Sequence, residues 1–344
     1  MRKERLFYLD FVRSCAVFLI LLTHFNAHYL FFYMRPEMPE RAILTLNPFH
    51  VYVGDLGVSL FFIISGAALI YVYREECKLK EFYTKRFFSL YPMFWAAYFI
   101  AFLYFFYKLK HMVHMDIPKA NFLLTILGMD GYLSELVPSY YLLGEWFLGY
   151  IILMYLCFPL LRKLVLAYPK ITVAAVAALY VPFAFFKLSP GFPASKILLV
   201  RFPEILFGML FVLKIKTVPL GAALCSLAVL IANGALRPRI AANFQVTYVG
   251  ICFFLLLVYC SKWIDRPMVR AVCHTIGKYS YAIFLTHHVI IDELALHFPM
   301  ADLNRSERYL LFLLYLCVTG VAAWLLYHLH ARVVNWVRRA RKSA

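Results

Sequence analysis

LDFVRSCAVFLILLTHF, residues 9–25, is an apolar run fit for a bilayer, yet it carries an acid, a guanidinium and an imidazole. Ionisable groups inside a membrane span are costly and default to a functional hypothesis. Arg13 and His24 are eleven residues apart. At helical geometry they fall within about 20° of one another and about 16 Å apart along the axis, and Asp10 projects about 40° from His24. One stripe of the first helix therefore predicts an acid and an Arg at one mouth and an imidazole about halfway across. Arg presents a planar fork of donors suited to phosphate. Histidine titrates near neutrality and serves as general base or nucleophile. Asp10 can orient Arg13 as an i,i+3 pair. The same stripe also suits a polar helix-packing cluster or a transport pathway.

Working outward, 64% of the 344 residues are hydrophobic and only 15% are charged. Soluble domains are about half apolar and about a quarter charged. A packed core could not hide this much apolar surface, so lipid must be its solvent. The expected fold is all-α and polytopic, with about ten transmembrane helices. The expected spans are 8–32, 50–73, 87–107, 143–161, 171–187, 199–213, 218–235, 244–261, 275–295 and 309–330. Residues Asn121–Met129 are apolar but too short to cross, which predicts an interfacial or re-entrant segment in a long loop from Lys108 to Gly144.

The net charge of +17 is topological rather than a sign of nucleic-acid binding. With the N-terminus inside, 22 Lys and Arg residues lie in inside segments and 12 outside, which predicts both termini in the cytoplasm. Part of the excess can serve anionic lipid headgroups or a polyanionic ligand. Asp10 and Arg13 interrupt the entry to the first apolar run and no small-x-small cleavage site follows, so it reads as a retained helix, not a signal peptide. Eight scattered cysteines form no CxxC pair, so neither a disulfide framework nor a metal site is expected. The expected organisation is one transmembrane domain over residues 1–344, multi-pass in the cell membrane.

Further polar residues stand out against the apolar background. His287 lies nine residues beyond Lys278 and so is deep in a span, whereas His288 points to a different face. Lys85 and Arg86 precede an apolar run, and Lys85 reads as topogenic charge. Ser65 and Gly66 within a span allow close helix approach or a polar contact. Arg201, with Glu204 one turn on, marks the external end of the sixth span, where it meets an acceptor or anchors at the interface. No Gly-rich phosphate loop, GxSxG elbow, HExxH site or nucleotide fingerprint is present.

These runs, taken in order, resemble the membrane-bound acyltransferase-3 family over nearly the whole chain. The first helix matches at Arg13 and His24. "GVSLFFIISGAAL" matches at Gly57, Phe61, Phe62, Ser65 and Gly66. "FYTKRFFSLYPMFW" matches through Lys85, Arg86, Tyr91, Pro92 and Trp95, although Ser89 stands where a second Arg is usual. "RFPEILFGM" matches at Arg201 and Gly208, and "GKYSYAIFLTH" at Gly277, Ser280, Tyr281, Leu285 and His287. Between Trp146 and Pro159 the family often has a Glu that this chain lacks. The usual Glu-Pro after the last helix is also missing, as is the SGNH esterase-like domain some members append.

The resemblance implies an enzyme that transfers an acyl group, usually acetyl, from cytoplasmic acyl-CoA to a hydroxyl of a cell-surface or lipid-linked glycan. It places catalysis on His24, Arg13 and Asp10, donor binding on Arg86, Lys85, Ser65 and Tyr91, and acceptor binding or charge stabilisation on His287, Arg201 and Glu204. Acetyl-CoA is then a substrate, no cofactor is permanently bound, and the partners are the acyl-CoA, the glycan acceptor and membrane lipid. The competing expectation is a transporter or flippase of an acyl donor or lipid-linked sugar; a non-catalytic assembly or sensor protein is a third.

Overall fold

The computed structural model describes residues 4–32, 38–112, 116–143, 146–186 and 191–343. Regular structure among the described residues is helical throughout. The helices are α1 (Phe7–Ala27), α2 (Val53–Tyr73), α3 (Leu79–Leu109), α4 (Phe122–Ile126), α5 (Asp130–Leu133), α6 (Trp146–Ala167), α7 (Pro169–Phe185), α8 (Leu198–Leu210), α9 (Leu220–Leu236), α10 (Ala242–Ser261), α11 (Pro267–His297) and α12 (Arg305–Ser343). Each of the ten expected spans falls on one of these helices; Gly144, Glu145 and Lys187, at two of their ends, lie outside the described residues. Among the described residues, six helices are long and apolar enough to cross a membrane: α1, α2, α3, α6, α10 and α12. Helices α7 and α9 are apolar but shorter. Proline lies inside α3, α6, α7 and α8 (Pro92, Pro159, Pro182 and Pro203). Membrane helices tolerate this because neighbouring groups satisfy the freed carbonyl.

The chain forms two compact units: Met1–Glu76 with Leu160–Ser280, and Cys77–Pro159 with Tyr281–Ala344. In the first unit α2 is central. Of its most apolar stretch 72% is buried, against 33% for α3, so α2 is the more enclosed helix. Leu9, Val12 and Ala16 of α1 pack on Leu60, Ile63, Ile64 and Ala67 of α2, and Phe254 and Val258 of α10 complete the core. Small residues set the spacing. Gly57 meets the α1 backbone and side chains at Ala16, Leu19 and Ile20, and Gly250 of α10 makes room for Ser59. The segment after α1 is fixed by Asn26, whose amide donates to the Ile43 carbonyl (3.1 Å) while its oxygen accepts from the Ile43 N–H (2.9 Å). At the other end of α2, Arg162 donates to the carbonyls of Tyr73 and Arg74, which have no partner within the helix.

In the second unit, α3 and α6 pack through the stacked rings of Phe82 and Phe158. Tyr281 donates to the Leu90 carbonyl (3.2 Å), and Lys108 pairs with Glu293. The apolar segment 121–129 is pinned to α3 in mid-length. Trp95 Nε1 donates to the Ile126 carbonyl (3.0 Å) and the Tyr91 hydroxyl to the Leu127 carbonyl (3.0 Å). Trp95 lies about 21 Å of helix from Leu109, so the chain leaves the end of α3 and returns to its middle. Gly128, at φ +69°, turns the chain against Leu148 and Ile152 of α6. Asp130 follows, 2% exposed, its carboxylate accepting from the Gly131 N–H (2.9 Å). Burial pushes its carboxyl up to about 6.

Candidate active site

The polar stripe of α1 faces protein rather than lipid. Asp10, Val17 and Leu21, which lie along it, are all buried, and Arg13 and His24 are half-buried. Helix periodicity puts these five residues on one face because 3, 4, 4 and 3 residues separate them. Asp10 is 6% exposed and is held from two sides. Arg13 Nη1 lies 3.5 Å from its Oδ1, the i,i+3 pair expected of the spacing. Arg5, just ahead of the helix, donates to both carboxylate oxygens, with Nη2 to Oδ1 at 3.1 Å. Opposite them stands Gly277 of α11, where an added β-carbon would be 3.5 Å from the Asp10 carboxylate and 3.6 Å from Arg13 Nη1. Ser14 donates to the Asp10 carbonyl (2.9 Å), closing the next turn of α1. The mouth of the stripe is thus two guanidiniums on one buried carboxylate. Arg5 was missed in the sequence because it precedes the helix and falls off its repeat.

His24 sits between buried neighbours on both sides: Leu22, Thr23, Phe25 and Asn26. Thr23 packs against Gly54 of α2, which lets the two helices approach at this level. Ser65 is half-buried on α2, beside the fully enclosed Ile64 and Gly66.

In the second unit, His287 is fully buried on α11. Its Nδ1 lies 2.8 Å from the Phe284 carbonyl and 3.1 Å from that of Ile283. Two acceptors there require Nδ1 to carry hydrogen, so in the neutral ring Nε2 holds the lone pair. The ring of His288 is 4.6 Å from that of His287, centroid to centroid, so the second imidazole is a close neighbour rather than a remote one. Arg86 is half-buried and lies over two rings, Tyr155 (5.3 Å) and Phe82 (5.8 Å). Lys85 is exposed and pairs at 3.9 Å with Glu81. Tyr91 spends its hydroxyl on the Leu127 carbonyl.

Arg201 and Glu204 come together as expected, but deep in the first unit. They are 1% and 0% exposed. Arg201 donates to Glu204 (3.3 Å), to Asp55 of α2 (3.4 Å) and to the Ser195 carbonyl (3.3 Å), and lies over the Phe62 ring. A group this enclosed is not an interfacial anchor. Asp55 lies 146 positions away in the chain, so no spacing rule pointed to it.

The chain is similar to the Acyltransferase MdmB of Streptomyces mycarofaciens, 24% identical over 265 residues, which covers 70% of this chain and 68% of that protein. No solved structure matches it significantly. The family model described as an acyltransferase domain matches residues 6–328, from the Arg13–His24 helix through His287 and into α12. With six helices able to cross a bilayer and a match over nearly its whole length, this multi-pass membrane protein belongs to the acyltransferase-3 family.

Proposed function

We propose that this acyltransferase moves an acyl group, most simply acetyl, from cytoplasmic acyl-CoA to a hydroxyl of a cell-surface or lipid-linked glycan. The observation that carries the reading is the Asp10–Arg13 pair, at 3.5 Å, on the helix face it shares with His24. An ion pair and an imidazole on one protein-facing stripe suit a phosphate-bearing donor at the mouth and proton transfer farther along. In the direct route, His24 takes the proton of the acceptor hydroxyl as its oxygen attacks the thioester carbonyl. The carbon–sulfur bond breaks and the thiolate leaves, taking up a proton. In the two-step route, the His24 nitrogen attacks first and carries the acyl group to the acceptor. His287, fully buried on α11 with Nδ1 2.8 Å from the Phe284 carbonyl, is the further imidazole we assign to the acceptor. Arg86, backed by two aromatic rings, is the further cation we assign to the donor.

The test is label transfer from acetyl-CoA to a glycan ester by purified protein. His24→Ala should lower the rate by about 10²–10⁴, the usual worth of a positioned acid–base group. Membrane insertion should be unchanged. Full ester formation by both His24→Ala and Arg13→Ala would remove the assignment. Flux of donor or sugar without any ester would replace it with transport.

A further inference from the structure

We infer that the turn over residues 44–50 is an acceptor-recognition element, in which His50 contacts a neutral, hydroxyl-bearing ligand and Asn233 of α9 is the positioning residue that holds the turn. The inference rests on the acyl-transfer reading only for what happens to the ligand once bound.

Both ends of the turn are fixed at the level of His24. Before it, Ile43 exchanges two hydrogen bonds with the Asn26 side chain (3.1 and 2.9 Å). After it, Gly54 of α2 lies against Thr23, where an added β-carbon would stand 2.8 Å from the hydroxyl oxygen. Thr23 and Asn26 are one and two residues from His24. The turn is therefore anchored within about 3 Å of the imidazole along the axis of α1, on the neighbouring face, whereas Arg13 is about 16 Å away along it.

The backbone of the turn is strained. Leu44, Phe49 and His50 have φ of +56°, +55° and +60°, the left-handed region that side chains disfavour. Among the described residues, the other non-glycine residues at positive φ are Lys110, Lys216 and Arg237. Those three end the helical stretches α3, Phe211–Ile215 and α9, where a left-handed residue is an ordinary stop. The strain at 44–50 is imposed from α9 and α10 instead. Asn233, 4% exposed, donates to the Phe49 carbonyl, and its own oxygen accepts from Gln245 (3.2 Å) and from the Tyr248 hydroxyl. Gly234 lets the Phe49 backbone lie on α9, and the Phe49 ring packs on Phe253 (5.7 Å). Such over-determined strain gathers at ligand clamps and active sites.

The chemistry of the turn points to the ligand. Residues 42–54 carry no charged side chain in a chain of net charge +17. Thr45, Asn47 and His50 are exposed and together offer both donors and acceptors. Leu44, 58% exposed, adds an apolar contact beside them. Neutral groups that donate and accept, next to an apolar one, match a sugar ring.

The experiment uses full-length protein in a polyoxyethylene detergent. The probes are the methyl glycosides of glucose, galactose and mannose, with coenzyme A for the donor. Saturation-transfer NMR reads glycoside binding, and label transfer from acetyl-CoA reads KM. His50→Gly suits the left-handed backbone and removes the imidazole. It should keep the unfolding temperature, weaken glycoside binding about tenfold, as one lost hydrogen bond does, and leave coenzyme A binding unchanged. Asn233→Ala should raise the glycoside KM with little change in kcat. In that background His50→Gly should weaken binding no further, because the two act as one unit. Losses that add would overturn the positioning role. Glycoside binding unchanged in both variants, or absent from wild type for all three sugars, overturns the inference. Glycoside binding that depends on His50 in a protein that makes no ester upholds the turn and overturns the acyl-transfer reading.

Discussion

Gly66 of α2 lies against the carbonyl of Ile205 in α8, so close that an added β-carbon would stand 2.0 Å from that oxygen. Gly208 of α8 answers it, its place 1.9 Å from the Ile63 carbonyl of α2. Each helix presents backbone to the other's glycine, the small-residue packing that brings membrane helices together where lipid is as apolar as leucine. Neither neighbour can yield, because both are main chain within a helix. Gly66→Ala and Gly208→Ala should each destabilise by about 3 kcal/mol or more, at the upper end of overpacking penalties. Gly221→Ala and Gly320→Ala, which would meet nothing within 4 Å, should fold normally. Thermal unfolding in detergent compares the two pairs. A Gly66→Ala protein as stable as Gly320→Ala would refute the close crossing.

The apolar segment 121–129 is held to α3 by two side-chain donors. Carbonyls at the end of a short helix have no partner within it. Tyr91 and Trp95 supply those bonds to Leu127 and Ile126. Tyr91→Phe keeps the ring stack with Phe87 but deletes the donor. It should cost about 0.5–1.5 kcal/mol, the net worth of a typical hydrogen bond. The loss should appear as faster protease cleavage within 121–138, with α3 still inserted. Unaltered cleavage would mean that the carbonyl has another partner.

Much of this was legible in the sequence where the signal is local. The Asp10–Arg13 pair follows from three-residue spacing, and Gly66 announces a close crossing by being small within an apolar run. An apolar stretch too short to span marked 121–129 as a segment apart from the spans. What was hidden is long-range or backbone-borne. Arg5 joins Asp10 from outside the helix, Asp55 reaches Arg201 from another helix, and the acceptors of Tyr91 and Trp95 are carbonyls that every residue owns. His287 showed as a deep imidazole, but its hydrogen-bonded nitrogen is a matter of rotamer, which spacing does not encode.

Asp130 gives the fold a pH dependence of known sign. Its folded-state pKa is about 6, raised by burial, against an ordinary value of 3.8. Between those values the folded segment holds a proton that the unfolded chain has lost. Stability therefore falls as pH rises from about 4 to about 6, is fully present below that window and is lost above it. Two units correspond to about 2–3 kcal/mol. Asp130→Asn mimics the protonated acid and should remove the slope. Unfolding temperatures at the two ends of the window, compared between wild type and Asp130→Asn, measure it. A difference that does not change with pH would place the titration elsewhere.

The enclosed ion pair at Arg201 separates scaffold from chemistry. Glu204 is fully buried, and its counter-charge is Arg201. Arg201→Met strands that carboxylate in an apolar site and should cost about 3–5 kcal/mol, as broken buried pairs do. Removing both charges is different, because apolar replacements of similar volume are often neutral. Arg201→Met with Glu204→Leu should thus recover most of the lost stability, the remaining deficit coming from Asp55, which is 37% exposed and can turn to water. At 1% and 0% exposure neither group is accessible to an acceptor, so the double variant should retain acyl transfer once folded. Stability restored without activity would instead assign the pair to the reaction, as the family resemblance alone implied.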